Sequence, residues 1–172
     1  WFWGPRSIIT EMPGFSNEIN EFPYFTFLFG DLHAHMIALP ITLLAVAWLL
    51  AEVLGAGIRR RPTWVVAAAT AFGGLTVGIL RPTNTWDWIT YLVLGVVGLM
   101  FAFTLRRERP NRLNLTAWAG QTAWFIAAHV LAALPFTYFF ATAYSSVRPF
   151  EGARTPIWAY LTMHGVFLFI IV

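Results

Sequence analysis

The clearest pattern along the chain is a series of long apolar runs separated by short polar segments. Four of these runs are 17 to 24 residues long, and a fifth continues to the last residue. An α-helix needs about 20 apolar residues to cross the hydrocarbon core of a bilayer. The predicted spans lie at residues 36–57, 63–80, 89–105, 117–140 and 157–172. The pattern therefore predicts an all-α fold, a polytopic transmembrane helix bundle forming a single membrane domain over 1–172.

The composition supports a membrane protein. Hydrophobic residues make up 58% of the chain and charged residues only 11%, whereas soluble domains carry about 25% charged residues. We expect an integral, multi-pass protein of the cell (plasma) membrane that contacts membrane lipid. The chain has no cysteine, which excludes disulfides and thiolate metal sites. It opens on Trp1 without an initiator methionine and ends inside an apolar run, so we expect a fragment of a longer protein.

The arginines predict the orientation of the spans. Seven of the eleven lie in two inter-span loops, 59–62 and 106–112. Basic loops of this kind normally remain in the cytoplasm, and we expect these arginines to act only as a topology signal, not to bind nucleic acid. Segments 1–35, 81–88 and 141–156 are then external. Most of the acidic residues lie in these external segments, which indicates that function is carried out on the external face.

Asp31, His33 and His35 are the first candidate site, at the entry to the first span. In an extended segment their alternating side chains would share one face and could bind one metal ion. In a helix, His33 would point away from the other two. Oxygen and imidazole ligands suit Zn²⁺, Mn²⁺ or a similar divalent cation. The alternative is that Asp31 caps the helix and the histidines are interfacial.

The external segment 81–88 is the second candidate site. Arg81 could hold a phosphate through its planar fork. Asp87 could orient a sugar hydroxyl or complete a metal shell, and Asn84 is a further candidate for substrate binding. The alternative is an Arg81–Asp87 salt bridge that pins the loop, with Pro82 ending the helix.

Two more arginines, Arg148 and Arg154, lie in the third external segment. They oppose the usual charge bias and are therefore candidate substrate-binding groups. Anionic lipid headgroups would account for them equally well.

Gln121, His129 and His164 are polar residues that lie inside the predicted spans. Such groups usually face the bundle interior and form hydrogen bonds with a neighbouring helix. We expect that structural use, with a proton relay as the alternative.

Two tracts carry a family resemblance. The tract EFPYFTFLFGDLHAHMIALP (21–40), followed by RPTNTWDW and a Thr-Tyr pair (81–91), resembles the YYY membrane-protein family, a domain family of unknown function. That family is similar to glycosyltransferases of the GT-C fold, which take a sugar from a polyprenyl-phosphate carrier outside the cytoplasm. In those enzymes an acid of the first external loop is essential. The resemblance thus implies catalytic roles for Asp31 and Glu21 and a divalent metal such as Mn²⁺, Mg²⁺ or Zn²⁺.

The leading hypothesis is therefore a GT-C-type transferase that uses a polyprenyl-phosphate sugar at the external face. If so, Asp31 and segment 81–88 should lie within about 10 Å of each other, where charges interact across a Debye length. One rival is a transporter or channel, which needs ionisable groups along a transmembrane path. Another is a non-catalytic assembly or lipid-binding subunit.

Overall fold

All regular secondary structure in the described part of the chain is helical. A computed structural model describes residues 27, 28, 30, 32–56, 61–105, 112–140, 149 and 156–171. Its helices are α1 (Ala34–Gly55), α2 (Thr63–Thr83), α3 (Thr85–Leu105), α4 (Arg112–Phe139) and α5 (Ile157–Ile171). Each predicted span corresponds to one helix, and the all-α prediction is confirmed.

Four of the helices are long and apolar enough to cross a bilayer: α1, α2, α3 and the Leu115–Phe139 part of α4. Large apolar side chains cover their outer surfaces, with Leu43 68% and Phe139 85% exposed. In water such a surface would aggregate, but lipid tails solvate it well. The protein is therefore a polytopic membrane protein. At 15 residues, α5 extends only about 22 Å, short of the roughly 30 Å of the hydrocarbon core.

The chain forms two compact units. One comprises Ile37–Ala141 and contains α2, α3, α4 and nearly all of α1; we call it the four-helix unit. The other comprises Trp1–Met36 and Thr142–Val172, and its described part holds the start of α1 and all of α5. Within α5 the rings of Tyr160 and His164 lie 4.8 Å apart.

Small residues let α2 and α4 approach closely in the four-helix unit. A Cβ atom on Gly78 would lie 2.5 Å from the His129 carbonyl oxygen, and one on Gly74 would collide with the carbonyl oxygen of Phe125. Gly74 and Gly78 form a G-x-x-x-G pair, the spacing that brings membrane helices into backbone contact. The packing of α2 against α4 is accordingly the most extensive between any two of the helices.

Aromatic rings fill the centre of this unit. Trp48 of α1 stacks on Phe125 of α4, with ring centroids 5.3 Å apart and planes at 3°. The Trp48 indole N–H donates to the Ala69 carbonyl of α2 at 2.7 Å. Since a buried indole N–H needs an acceptor, this bond fixes the ring and joins α1 to α2.

Gln121 provides the inter-helix hydrogen bond expected of it. Its side-chain amide donates to the Thr70 hydroxyl at 3.1 Å, and Thr70 is fully buried. The bond joins α4 to α2 in an interior where an unpaired amide would be costly. This prediction is confirmed.

The prediction of an eight-residue loop at 81–88 is wrong. Helix α2 continues to Thr83 and α3 begins at Thr85, which leaves Asn84 as the only residue between them. Pro82 does not end α2, because a proline near a helix end removes just one backbone hydrogen bond. The Asn84 N–H instead bonds to the Leu80 carbonyl at 2.7 Å. Smaller corrections place the start of α1 at Ala34 and that of α4 at Arg112.

An ion pair joins the end of α1 to the start of α2. Arg61 donates to both carboxylate oxygens of Glu52, at 2.7 and 2.5 Å, and Glu52 is only 2% exposed. The bond to this carboxylate raises the pKa of the Arg61 guanidinium above its usual value. Arg61 thus has a structural partner and is more than a topology signal; residues 57–60 lie outside the described part.

Candidate functional site

The predicted site residues divide into those that the structure describes and those that it does not. Glu21, Asp31, Arg148 and Arg154 lie outside the described residues, so their roles remain predictions. Of the others, His33 and His35 precede the four-helix unit, which contains Arg81, Asn84 and Asp87. The two groups are therefore described separately, and the expected approach of Asp31 to residues 81–88 remains a prediction.

His33 and His35 lie side by side at the start of α1. His33 is the residue before the helix, and its carbonyl accepts the Met36 N–H at 3.0 Å. The ring centroids of the two histidines are 5.6 Å apart. Two imidazoles that share one ion must lie adjacent, each nitrogen about 2.0–2.1 Å from the metal, and this spacing is compatible with that. Among the described residues no group of three or more His, Cys, Asp or Glu forms a metal cluster; the proposed third ligand, Asp31, lies outside them.

Asn84 connects α2 to α3 and caps α3. Its side-chain oxygen accepts the Trp86 backbone N–H at 3.3 Å, and its amide donates to the Asp87 carboxylate at 2.8 Å. An Asn cap followed by an acid in the first turn stabilises a helix N-terminus. Asp87 therefore pairs with Asn84, and no Arg81–Asp87 salt bridge is found. The Asn-Thr-Trp-Asp order is a capping signal that could have located this helix start in the sequence.

Arg81 lies in the last turn of α2, and its guanidinium covers an aromatic ring. The Cζ atom is 4.4 Å from the centroid of the Trp88 indole, well within the range of a cation–π contact. Its Nε is buried without a hydrogen-bond partner. Across the described residues, no carboxylate neutralises this arginine. Within the described part of the chain, the indole face and the C-terminal dipole of α2 are the groups that stabilise its charge.

His129 of α4 contacts the nitrogen-bearing edge of the Trp88 ring. The indole N–H donates to His129 Nε2 at 3.2 Å, and the two ring planes are inclined by 17°. His129 is 4% exposed, and its Nδ1 has no hydrogen-bond partner. The expected inter-helix bond of His129 is confirmed. Its partner was missed, because Trp88 is 41 residues away in the sequence and resembles an ordinary interfacial tryptophan.

Arg81, Trp88 and His129 thus form a polar cluster, contributed by α2, α3 and α4. Because Nε2 of His129 accepts a hydrogen bond, the neutral ring carries its proton on Nδ1. Two buried donors, Arg81 Nε and His129 Nδ1, therefore adjoin one indole without acceptors. An unsatisfied buried donor costs about 1–3 kcal/mol. An unneutralised cation and unsatisfied donors are features expected of a site for an anionic, oxygen-rich group.

Comparison with curated proteins and with solved structures finds no match. A family model described as "Uncharacterized membrane protein (DUF2298)" matches residues 1–172. This is the family that the tracts at 21–40 and 81–91 indicated, and the match extends over both. The chain belongs to this family of membrane proteins.

Proposed function

We propose that this protein is a membrane glycosyltransferase of GT-C type that takes a sugar from a polyprenyl-phosphate donor at the external face. The observation that carries the proposal is Arg81, a cation that has no carboxylate partner among the described residues and lies over the Trp88 indole where α2 meets α3. The arginine distribution predicts that this junction is on the external side. A lipid phosphate at the membrane surface would meet the guanidinium there.

Arg81 would bind the donor phosphate. A guanidinium presents two parallel N–H groups to phosphate oxygens, a stronger contact than a single hydrogen bond. The contact with Trp88 limits the motion of the guanidinium without pairing it with a carboxylate of the described residues. Arg148 and Arg154 would add further contacts to the donor. Asn84 and Asp87 would orient sugar hydroxyls.

An acid of the first external segment, Asp31 or Glu21, would act as general base. The acceptor oxygen would attack the anomeric carbon, the bond from that carbon to the phosphate oxygen would break, and the carboxylate would receive the acceptor proton. Asp31, His33 and His35 would hold a divalent cation, and such a cation would supply Lewis-acid stabilisation to a phosphate leaving group. The adjacent rings of His33 and His35 are compatible with such a pair of ligands.

The contacts inside the spans favour an enzyme over a transporter. A transport path needs ionisable groups that can change partners across the membrane. Glu52 instead forms a bidentate pair with Arg61, and Gln121 bonds to Thr70. These two polar groups therefore serve packing between helices rather than a transport path.

The test is sugar transfer by the full-length protein reconstituted in liposomes. Radiolabelled polyprenyl-phosphate hexoses are supplied, and the transferred label and the released polyprenyl phosphate are measured. We expect Arg81→Met to lower turnover at least 100-fold, the loss typical of a group that stabilises transition-state charge. Arg81→Lys, which keeps the charge without the fork, should lose less. Folded wild-type protein that is inactive on every donor, or a fully active Arg81→Met variant, would contradict the proposal.

A further inference from the structure

Two contacts join α4 to the Arg81 cation through Trp88 of α3. His129 accepts the hydrogen bond of Trp88, and Trp88 carries Arg81 on its ring face. The backbone of His129 is itself fixed, because its carbonyl oxygen packs against Gly78 of α2. His129 therefore belongs to the rigid seam between α2 and α4, whereas Arg81 is a long, half-buried side chain at the end of α2.

The indole needs this anchor in order to hold the guanidinium. A tryptophan in the first turn of a helix has several staggered side-chain rotamers, and only some present the ring face to α2. A hydrogen bond to a buried acceptor selects one of them, because leaving the indole N–H unpaired would cost about 1–3 kcal/mol. The acceptor must be an unprotonated Nε2, so the neutral imidazole that keeps its proton on Nδ1 is the required form.

We propose that His129 is a positioning residue: it orients the Trp88 indole and thereby fixes the Arg81 guanidinium for binding the phosphate group of a lipid-linked phosphate. The inference rests on the proposed function for its ligand, but it concerns a residue that touches neither donor nor acceptor sugar. His129 would then contribute to phosphate binding from inside the membrane, through Trp88 and without contacting the phosphate itself.

The simpler alternative is that His129 only stabilises the bundle, and the chain offers a matched control for it. Gln121 also lies on α4 and also forms a side-chain hydrogen bond with a neighbouring helix, because its amide donates to Thr70 of α2. Gln121→Leu and His129→Leu each remove a buried polar contact of α4 with a neighbouring helix. The Gln121–Thr70 bond involves neither Trp88 nor Arg81. Loss of stability alone should therefore affect the two variants alike.

The first measurement is the affinity of the purified full-length protein for farnesyl phosphate in detergent. Farnesol and inorganic phosphate are run in parallel. We expect farnesyl phosphate to bind and both control ligands to bind far more weakly, which separates a lipid phosphate from free phosphate. His129→Leu should weaken binding about 10-fold, Gln121→Leu less than 2-fold, and His129→Gln, which restores an acceptor oxygen, less than 3-fold.

A double-mutant cycle locates the effect in the bond between the two rings. Trp88→Phe keeps an aromatic face for Arg81 but lacks the N–H donor, so it should also weaken binding about 10-fold. The Trp88→Phe/His129→Leu double variant should lose about 10-fold in total, because both changes remove one interaction. A loss near 100-fold, or equal binding by the His129→Leu and Gln121→Leu variants, would overturn the inference.

A second readout needs no ligand and separates this inference from the proposed function. Phenylglyoxal modifies accessible guanidinium groups, and mass spectrometry of the peptide gives the rate at Arg81. His129→Leu and Trp88→Phe should raise that rate at least 5-fold, and Gln121→Leu should leave it unchanged. If wild-type protein binds no farnesyl phosphate, the proposed function loses its ligand, while the modification rates still decide the positioning role. Equal rates in all variants would refute it.

Discussion

The two ends of α2 each carry an arginine, and these two arginines have different kinds of partner. Arg61, just before the helix, forms two hydrogen bonds with the buried carboxylate of Glu52. Arg81, in the last turn, rests on the Trp88 indole and has no carboxylate partner in the described part of the chain. They are 20 residues apart, about 30 Å along the helix. Arg61 is thus neutralised by a carboxylate, whereas Arg81 remains available to a ligand.

The difference identifies which arginine can bind a ligand. Removing one partner of a buried bidentate ion pair strongly destabilises the protein, because the remaining charge stays buried without a partner. Such a pair cannot release its guanidinium to an incoming phosphate without that cost. A cation–π contact contributes only about 0.5–2 kcal/mol, so giving it up for a phosphate costs far less. Arg61 therefore stabilises the link between α1 and α2, and Arg81 remains able to exchange partners.

The most general test of this comparison concerns the membrane topology. If the two arginines serve different faces, position 60 is cytoplasmic and position 86 external, as the positive-inside rule predicts. Because the chain has no cysteine, Arg60→Cys and Trp86→Cys each introduce a unique thiol, and Trp86 is 85% exposed. A membrane-impermeant maleimide should label position 86 in intact cells and position 60 only after permeabilisation. The reverse pattern would invert the assignment of the faces.

Removing Arg61 should produce the largest loss of stability. Arg61→Met leaves the Glu52 carboxylate buried without a partner, and we expect a loss of about 3 kcal/mol. That value is the low end of the range for broken buried pairs, since the Arg61 side chain is 25% exposed. Thermal unfolding in detergent measures the loss. The Glu52→Leu/Arg61→Met double variant should recover most of it. Arg81→Met should cost less than 1 kcal/mol, and a larger cost would erase the distinction between the two arginines.

The Arg81 end should depend on the glycine seam, unlike the Arg61 end. Gly78→Ala places a methyl group 2.5 Å from the His129 carbonyl oxygen, so the backbones of α2 and α4 must separate. We expect a loss of about 2 kcal/mol, typical of overpacking, together with weaker farnesyl phosphate binding. Gly120→Ala on α4 is the control, because nothing lies within 4 Å of its added Cβ. If the Gly78→Ala variant binds farnesyl phosphate as well as the wild-type protein does, the close packing of α2 against α4 does not affect the polar cluster.

The sequence predicts the helices well because their signal is local. Apolar length alone located all five, and inter-helix bonding of Gln121 and His129 followed from the cost of an unpaired polar group in hydrocarbon. The prediction of a loop at 81–88 is wrong because α2 continues past Pro82 and the Asn84 cap starts α3 at Thr85. The contact of Trp88 with His129 spans 41 residues, and no pattern along the chain encodes it. Arg81 was a candidate from the start, but its lack of a carboxylate partner emerges only in three dimensions.

The smallest expected effect separates stability from function most cleanly. His129→Leu and Gln121→Leu should each lower the free energy of unfolding by about 1 kcal/mol, the usual size of an inter-helix hydrogen bond in a membrane. Unfolding in mixed detergents measures both values. If the costs match, any difference in phosphate binding or in Arg81 modification reflects the position of His129 beside Trp88. If His129→Leu costs several kcal/mol more than Gln121→Leu, His129 is primarily a structural residue. The contrast between an arginine paired for stability and one positioned for binding would then lose its support at the Arg81 end.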